Sequence, residues 1–396
     1  MSNLSSRDNP EPAASRQFLM VACAGFASMA GMRLCDTLLP ALARSFDAGV
    51  GEAAGAVSMF AIAYGILQLV YGPLGDRYGK RRVICLAVAV SAFINLALTF
   101  SPSLSILTSL RFMAGAAAAG IVPLSMAHIG DSVPYAQRQQ VLAKFLTATI
   151  MGMICGQWAG GILADTLGWR AAFVLLTLLF GTVAASMARS LPPAPGAAGQ
   201  AERKGYGAQL MVVMRTPWAR RILLAALIEG CVAYGAFVFI PVHLHERFGL
   251  SLTMAGGVVV LYGLGGLGYA MGARRIVSRL GEPRMVLCGG ALMATGFGTL
   301  AFAPSWMWSI PACALAGFGF YMMHNTLQAN ATQMVAQARG TAVSLFACSL
   351  FLGQSIGVGI VAQLLDSLGT SAAFIPGMVV LPLLGLWLAW SIRHRR

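Results

Sequence analysis

Charge is the scarcest feature of this sequence. Of its 396 residues only 10% are Asp, Glu, Lys or Arg, where a water-soluble domain carries about 25%. Hydrophobic residues make up 58%, and mean hydropathy is +0.74. A soluble globule with a charged shell is excluded, and a chain that crosses a membrane many times is implied. Metal-ligand spacing is also missing. The eight cysteines (Cys23, Cys35, Cys85, Cys155, Cys231, Cys288, Cys313, Cys348) all sit in apolar runs and read as small buried side chains. No nucleotide-binding glycine loop, serine nucleophile elbow or zinc-protease motif occurs. Gly263-Leu-Gly-Gly266 lies in an apolar run, where close helix packing explains it. The first fifteen residues lack the basic region and cleavage site of a signal peptide. No cofactor, no metal and no enzymatic activity are expected. Acids are few, 13 against 27 Lys and Arg, yet the basic residues are divided among short loops, which excludes a nucleic-acid surface.

What is abundant is apolar sequence long enough to span a bilayer. Twelve segments are read at 17–40, 55–75, 83–100, 104–128, 143–163, 170–188, 219–241, 252–273, 285–303, 308–330, 342–364 and 372–392. Alternating the loops between the two sides puts 22 of the 27 Lys and Arg on the side of both termini, three (Arg44, Arg170, Arg247) on the other side, and two (Arg33, Arg111) inside helices. Basic loops lie on the cytoplasmic side, so both termini are expected there. Residues 1–16 and 393–396 read as cytoplasmic tails. The linker 189–218, with Leu191-Pro-Pro-Ala-Pro-Gly-Ala-Ala-Gly-Gln200, reads as a flexible join between halves.

The halves repeat. At an offset of 201, Pro40 meets Pro241, Arg138 meets Arg339, Gly152 meets Gly353, Gly156 meets Gly357, Asp165 meets Asp366, Gly168 meets Gly369 and Phe173 meets Phe374. At 202, Phe46 meets Phe248, Gly79 meets Gly281, Arg82 meets Arg284 and Gly115 meets Gly317. The fold expected is all-α and polytopic: two pseudo-symmetric six-helix bundles, 17–188 and 219–392, enclosing a site near the membrane midplane.

With repeat, linker and charged loops in place, the chain resembles the major facilitator superfamily, most nearly its twelve-helix drug/proton antiporter branch. Gly72, Leu74, Asp76, Arg77, Gly79, Lys80 and Arg81 stand at the positions of that family's loop motif between helices 2 and 3. Arg111 with Gly115 resembles its fourth-helix motif. Gly152-Met-Ile-Cys-Gly-Gln-Trp-Ala-Gly-Gly161 resembles the fifth-helix antiporter motif, with Gln157 where the family has proline. The resemblance implies that the loop cluster, extended by Asp131 and Arg138, latches the halves in an outward-open state. It also implies alternating access and proton-coupled export of small hydrophobic or cationic compounds across the inner membrane. Gly152, Gly156, Gly160 and Gly161 would permit close helix contact. Uptake or export of a specific metabolite, such as a sugar or organic anion, stays open, as does a non-transporting lipid-handling or sensor role. Beyond small-molecule substrate, protons and membrane lipids no partner is expected, and the chain is read as a monomer.

Ionisable groups inside a membrane are costly and face a cavity or a partner. Asp36 lies past the middle of the first segment. Arg111, from the fourth, should reach similar depth, but Arg33 is nearly one turn from Asp36 on the same face, and both pairings stay open. Glu229 sits within the seventh segment with no base nearby on its own helix, so it is expected to face the cavity. Asp36 and Glu229 are read as coupling acids projecting into a central chamber, modulated by Arg111 and Arg33. Gln157, Trp158, Tyr234, His324 and Asn325 are read as lining residues. His243, His245 and Glu246 lack the fourth ligand that a metal would need.

Overall fold

In the computed structural model, residues 12–190 and 205–394 are described, apart from the side chains of residues 12–16, Tyr135, Ala136 and Asp366. The Pro-rich stretch 191–204, the first eleven residues, Arg395 and Arg396 lie outside the described residues. Twelve helices cross the molecule. In the first half these are α1 (Pro12–Ser45), α2 (Val50–Tyr78), α3 (Lys80–Thr99), α4 (Leu104–Ser132), α5 (Tyr135–Thr166) and α6 (Trp169–Ala188). In the second half they are α7 (Pro217–Phe248), α8 and α9 (252–280 and 282–302), α10 (Ser309–Gln333), α11 (Arg339–Leu368) and α12 (Ile375–Arg393). All twelve expected segments are present. An unforeseen helix, Tyr206–Arg215, occupies the second part of the linker.

The repeat seen in the sequence is a repeat in space. Gly79 (φ 89°) turns α2 into α3, and Gly281 (φ 67°), 202 residues on, turns α8 into α9. Gly168 (φ 84°) and Gly369 (φ 76°) do the same for α5–α6 and α11–α12. A left-handed backbone is strained for any residue with a Cβ, so glycine at these turns is a geometric requirement.

Helix contacts repeat as well. Gly152 and Gly156 of α5 press on the backbone of Phe26 and Ala30 of α1, and Gly353 and Gly357 of α11 press on Leu227 and Cys231 of α7, each partner 201 residues on. Gly115 of α4 meets Phe60 of α2, and Gly317 of α10 meets Tyr262 of α8, at an offset of 202. Lipid offers no hydrophobic drive to join apolar helices, so backbone proximity and dispersion must do it. A side chain at Gly156 would bring its Cβ within 2.5 Å of the Ala30 carbonyl oxygen.

The two halves touch from the end away from the termini inward to about the middle of α2 and α11, where Gly65 lies against Phe351 and Cys348. At the end away from the termini, Asp165 of α5 accepts hydrogen bonds from the backbone N–H groups of Leu252 (3.2 Å) and Thr253 (2.7 Å) and from the Thr253 hydroxyl (2.7 Å), capping α8 across the interface. Ser58 of α2 reaches the Ser355 carbonyl of α11 (3.5 Å), and Tyr64 packs edge-on against Phe351 at 4.8 Å. Towards the termini contact ceases: no atom lies within 4 Å of a Cβ built at Gly72 or Gly340.

Replacement of Gly156 or Gly357 by leucine is expected to abolish assembly, read as loss of the monodisperse peak on size-exclusion chromatography. Gly72→Ala, in open space, should elute as the parent does.

Candidate functional site

Beneath this closure the interface is filled by ionisable and aromatic side chains. Asp36 of α1 is fully buried. Its Oδ2 accepts from Arg33 Nη1 at 3.4 Å and from Gln157 Nε2 at 3.3 Å. The open choice between Arg33 and Arg111 is thereby resolved for Arg33. Arg111 points instead at backbone, donating from Nε to the Ala56 carbonyl (3.2 Å) and from Nη1 to the Gly31 carbonyl (3.1 Å), with its guanidinium 4.2 Å from the Phe60 ring centre. It ties α4 to α1 and α2. Gln157, the departure from proline, has a visible use: its side-chain amide gives Asp36 Oδ2 a second donor, while its backbone carbonyl accepts from the Thr37 hydroxyl (2.9 Å).

Arg33 also crosses the interface. Its guanidinium lies 4.3 Å from the Tyr234 ring and 5.0 Å from Phe237, both on α7. The negative face of an aromatic ring attracts a cation, most strongly where water is excluded. From Tyr234 the aromatic run continues to Phe320 of α10 (4.9 Å), which stacks on His324 at 5.0 Å. His324 Nδ1 lies 2.9 Å from Glu229 Oε2. Sequence reasoning singled out both residues but did not pair them, because α7 and α10 meet only in the fold. Glu229 is fully buried, while His324 keeps 14% of its side chain exposed. Immediately after Glu229, α7 widens into a π-turn over Gly230–Tyr234, a deformation common at functional sites.

Two expected lining residues do not belong to this centre. Trp158 is 49% exposed beside Gly257 of α8, and Asn325 turns to Tyr269 of α8. Each is one residue beyond a central side chain, hence about 100° further round its helix. Nor does either acid project into the large cavity. That cavity, about 1320 Å³, opens at the termini end between the halves, with Gln68 and Leu124 on one wall and Gln333, Gln337, Arg339 and Thr341 on the other. The linker helix supplies Tyr206 and Gln209, the latter 2.7 Å from the Thr341 hydroxyl. None of these was expected: isolated glutamines in apolar or loop sequence carry no periodic signal.

Of the loop cluster, Gly72, Asp76 and Lys80 line the cavity. Lys80 pairs with Asp76 (3.8 Å) and with Asp131, joining α2, α3 and α4 within one half. Arg81 donates to the Ser190 carbonyl (2.9 Å) and Arg138 to the Val133 carbonyl (3.4 Å), while Arg77 lies over Tyr78. At the far end His243 bonds Thr370 (2.8 Å), and His245 turns to other partners. No group of three metal-ligating side chains occurs among the described residues.

Residues 21–358 match the profile described as Major Facilitator Superfamily. Among relatives, the uncharacterized MFS-type transporter YceJ of Bacillus subtilis is 25% identical over 349 residues, 84% of this chain and 85% of its own. The bicyclomycin resistance protein homolog of Haemophilus influenzae is 28% identical over 173 residues, 43% of each chain. Among solved structures, a bacterial homolog of the human lysosomal transporter Spinster, inward-facing and unoccupied, superposes with a TM-score of 0.79 at 16% identity, over 98% of this chain and 99% of that one. That likeness establishes the fold.

Arg111→Lys is expected to lose one of the two carbonyl bonds and the planar contact with Phe60. It should cost about 1–3 kcal/mol, seen as a lower melting temperature of the purified protein. Because lysine keeps the positive charge at this position, the pH profile of any activity should stay in place.

Proposed function

This chain belongs to the Major Facilitator Superfamily, a family of multi-pass membrane transporters, and from that premise we propose that it exports small hydrophobic or cationic compounds in exchange for protons by alternating access. The observation that carries the proposal is the Glu229–His324 pair, a carboxylate and an imidazole 2.9 Å apart inside the membrane. One proton shared between them changes the charge of the centre by one, and a cationic substrate can replace that proton without leaving a buried charge unbalanced. The rings around it (Tyr234, Phe320, Tyr262, Phe237) offer faces for a flat or cationic solute. Export agrees with the resistance named for the Haemophilus relative.

The proposed orientation follows the charge count of the loops, with both termini in the cytoplasm and the chain in the inner membrane as a monomer. The arrangement described is then inward-open, the cavity facing the cytoplasm. Glu229 and Asp36 divide the coupling by depth. At the repeat offset of 201 Glu229 corresponds to position 28 of α1, eight residues before Asp36 and so about 12 Å nearer the cytoplasm. Glu229 would release its proton and meet substrate on the cytoplasmic side; Asp36, tied to Arg33 and Gln157 under the outer closure, would titrate when that closure parts. The cluster of Gly72, Asp76, Arg77, Gly79, Lys80, Arg81, Asp131 and Arg138 would close the cytoplasmic end in the opposite state. In the present arrangement its ion pairs join α2, α3 and α4 within the first bundle, so closing this end would require the cluster to find partners on the second.

In vesicles of purified protein loaded with a pH dye, a gradient of tetraphenylphosphonium is expected to drive proton movement, with a sugar and an organic anion as comparisons. Glu229→Gln should reduce coupled flux roughly a hundredfold, and Asp36→Asn should do so with the fold intact. His324→Gln keeps a hydrogen bond to Glu229 but cannot titrate, so it should flatten the pH dependence and leave cation binding. Unchanged pH-dependent flux in both acid variants would refute the assignment.

A further inference from the structure

Two pairs of residues touch across the interface at the repeat spacing itself. Arg33 lies over Tyr234, and Arg44 Nη1 is 3.3 Å from His245 Nε2, a separation of 201 residues in each case. Residues related by a two-fold axis can touch each other only near that axis. Both contacts therefore lie on the line between the halves along which a solute must pass. Arg44 and His245 are eleven residues beyond the central pair on α1 and α7, about 16 Å further out. They stand across the outer mouth of the path.

The chemistry of this contact depends on one proton. His245 Nδ1 lies 2.7 Å from the Leu250 carbonyl, which can only accept, so Nδ1 carries the hydrogen. The carbonyl is held there by the end of α7: Gly249 adopts a left-handed turn (φ 67°), and the Leu250 N–H returns to the Leu244 carbonyl at 3.3 Å. A neutral imidazole with its hydrogen on Nδ1 has a lone pair on Nε2, and that lone pair receives the Arg44 guanidinium. A second proton would go to Nε2. The acceptor would vanish and two cations would face each other across the axis. The other charged groups nearby do not cancel that repulsion in place. Arg247 is turned to the Ala301 and Ala303 carbonyls and Ser371, and Asp165 is committed to the N-terminus of α8. Glu246, next in the chain, is exposed and lies close enough to attract a protonated His245, which favours the second proton while leaving Arg44 without its acceptor, and Asp47 stands three residues beyond Arg44 in the α1–α2 turn.

We infer that His245 is a proton-binding site that operates the outer gate, with Arg44 as the residue it releases: neutral His245 holds the outer end shut, and protonated His245 opens it. The site is distinct from Asp36 and Glu229, though its meaning for transport rests on the alternating-access reading above. Acid outside would then favour the outward-open state just when protons are available to enter.

The test is a distance measurement on the full chain in lipid nanodiscs, with spin labels at Glu52 and Gln363, exposed residues bordering one outer groove between α2 and α11, in a background whose eight cysteines are replaced by alanine. Between pH 8 and pH 5 the wide-open population should grow roughly tenfold. His245→Gln, whose amide can donate to Leu250 and accept from Arg44 but cannot titrate, should stay closed at both pH values. Arg44→Ala, which removes the second cation, should lose the acid response. Glu229→Gln should keep the acid response, which separates this gate from the coupling acids. No acid response in the parent, an unchanged one in His245→Gln, or its loss in Glu229→Gln would each overturn the inference. If the cysteine-free chain does not fold, hydrogen exchange of segments 45–56 and 246–256 in the native sequence, corrected for intrinsic pH dependence, gives the same decision: faster at acid pH only when His245 is present.

Discussion

A guanidinium buried among hydrocarbon must have its charge answered from within the protein, and the Arg33 side chain, 1% exposed, is answered from both halves at once. Asp36 supplies the counter-charge from its own helix, and Tyr234 and Phe237 supply ring faces from the other bundle. The closed interface is thus organised about a cation whose partners belong to different rigid bodies. If the bundles part at this level, Arg33 keeps the carboxylate and loses the rings. Its pairing with Asp36 then becomes more exclusive, and the charge state of Asp36 weighs on the position of the halves. Arg111 does different work: bound to carbonyls of α1 and α2, it ties α4 to both within the first bundle.

The scaffold is symmetric where backbones touch and asymmetric where charge resides. Glycines at the repeat spacing hold α5 on α1 and α11 on α7, and their partners obey the same spacing. These positions tolerate no Cβ, so the repeat survives in them and is readable from the chain alone. The ionisable positions have no such constraint. The position matching Asp36 is Phe237, the one matching Glu229 is Ser28, and the one matching Arg111 is Cys313. Among the described residues each half contributes one buried acid, but at different depths, each with a base from a different source. One base is an arginine one turn away; the other is a histidine from another helix.

That contrast explains what the sequence could disclose. Twelve spans, the break between bundles and the turn glycines follow from hydropathy and backbone geometry, both local. The Arg33–Asp36 pair is local too, three residues apart on one helix, and the competing Arg111 pairing failed because Arg111 found carbonyls, a partner that composition does not advertise. The His324–Glu229 pair spans 95 residues and depends on how α10 leans on α7. Trp158 and Asn325 were misplaced by a single residue's rotation. The helix Tyr206–Arg215 was hidden because its apolar face is short and follows a Pro- and Gly-rich stretch. The expectation of acids projecting into one open chamber failed for a conformational reason. With the end away from the termini closed, the cavity occupies the termini end and the acids lie beyond it.

Burial has a consequence for how charge can move. Asp36 accepts from Arg33 and Gln157 through one oxygen, while Oδ1 has no hydrogen-bond partner; Glu229 likewise meets His324 through Oε2 and leaves Oε1 without one. A buried carboxyl oxygen without a donor costs about 1–3 kcal/mol if the group is neutral and more if it is charged. Both acids are therefore held in surroundings that satisfy half of what an ionised carboxylate requires, and the missing half is a donor, a proton or a cation. Supplying it stabilises the site; opening the interface to water supplies it from one side or the other. Under the proposed alternating access, two half-satisfied acids, about 12 Å apart in depth and joined by Arg33, Tyr234, Phe320 and His324, would respond to whichever side is open, and a symmetric rocking scaffold could then carry a directional exchange of charge.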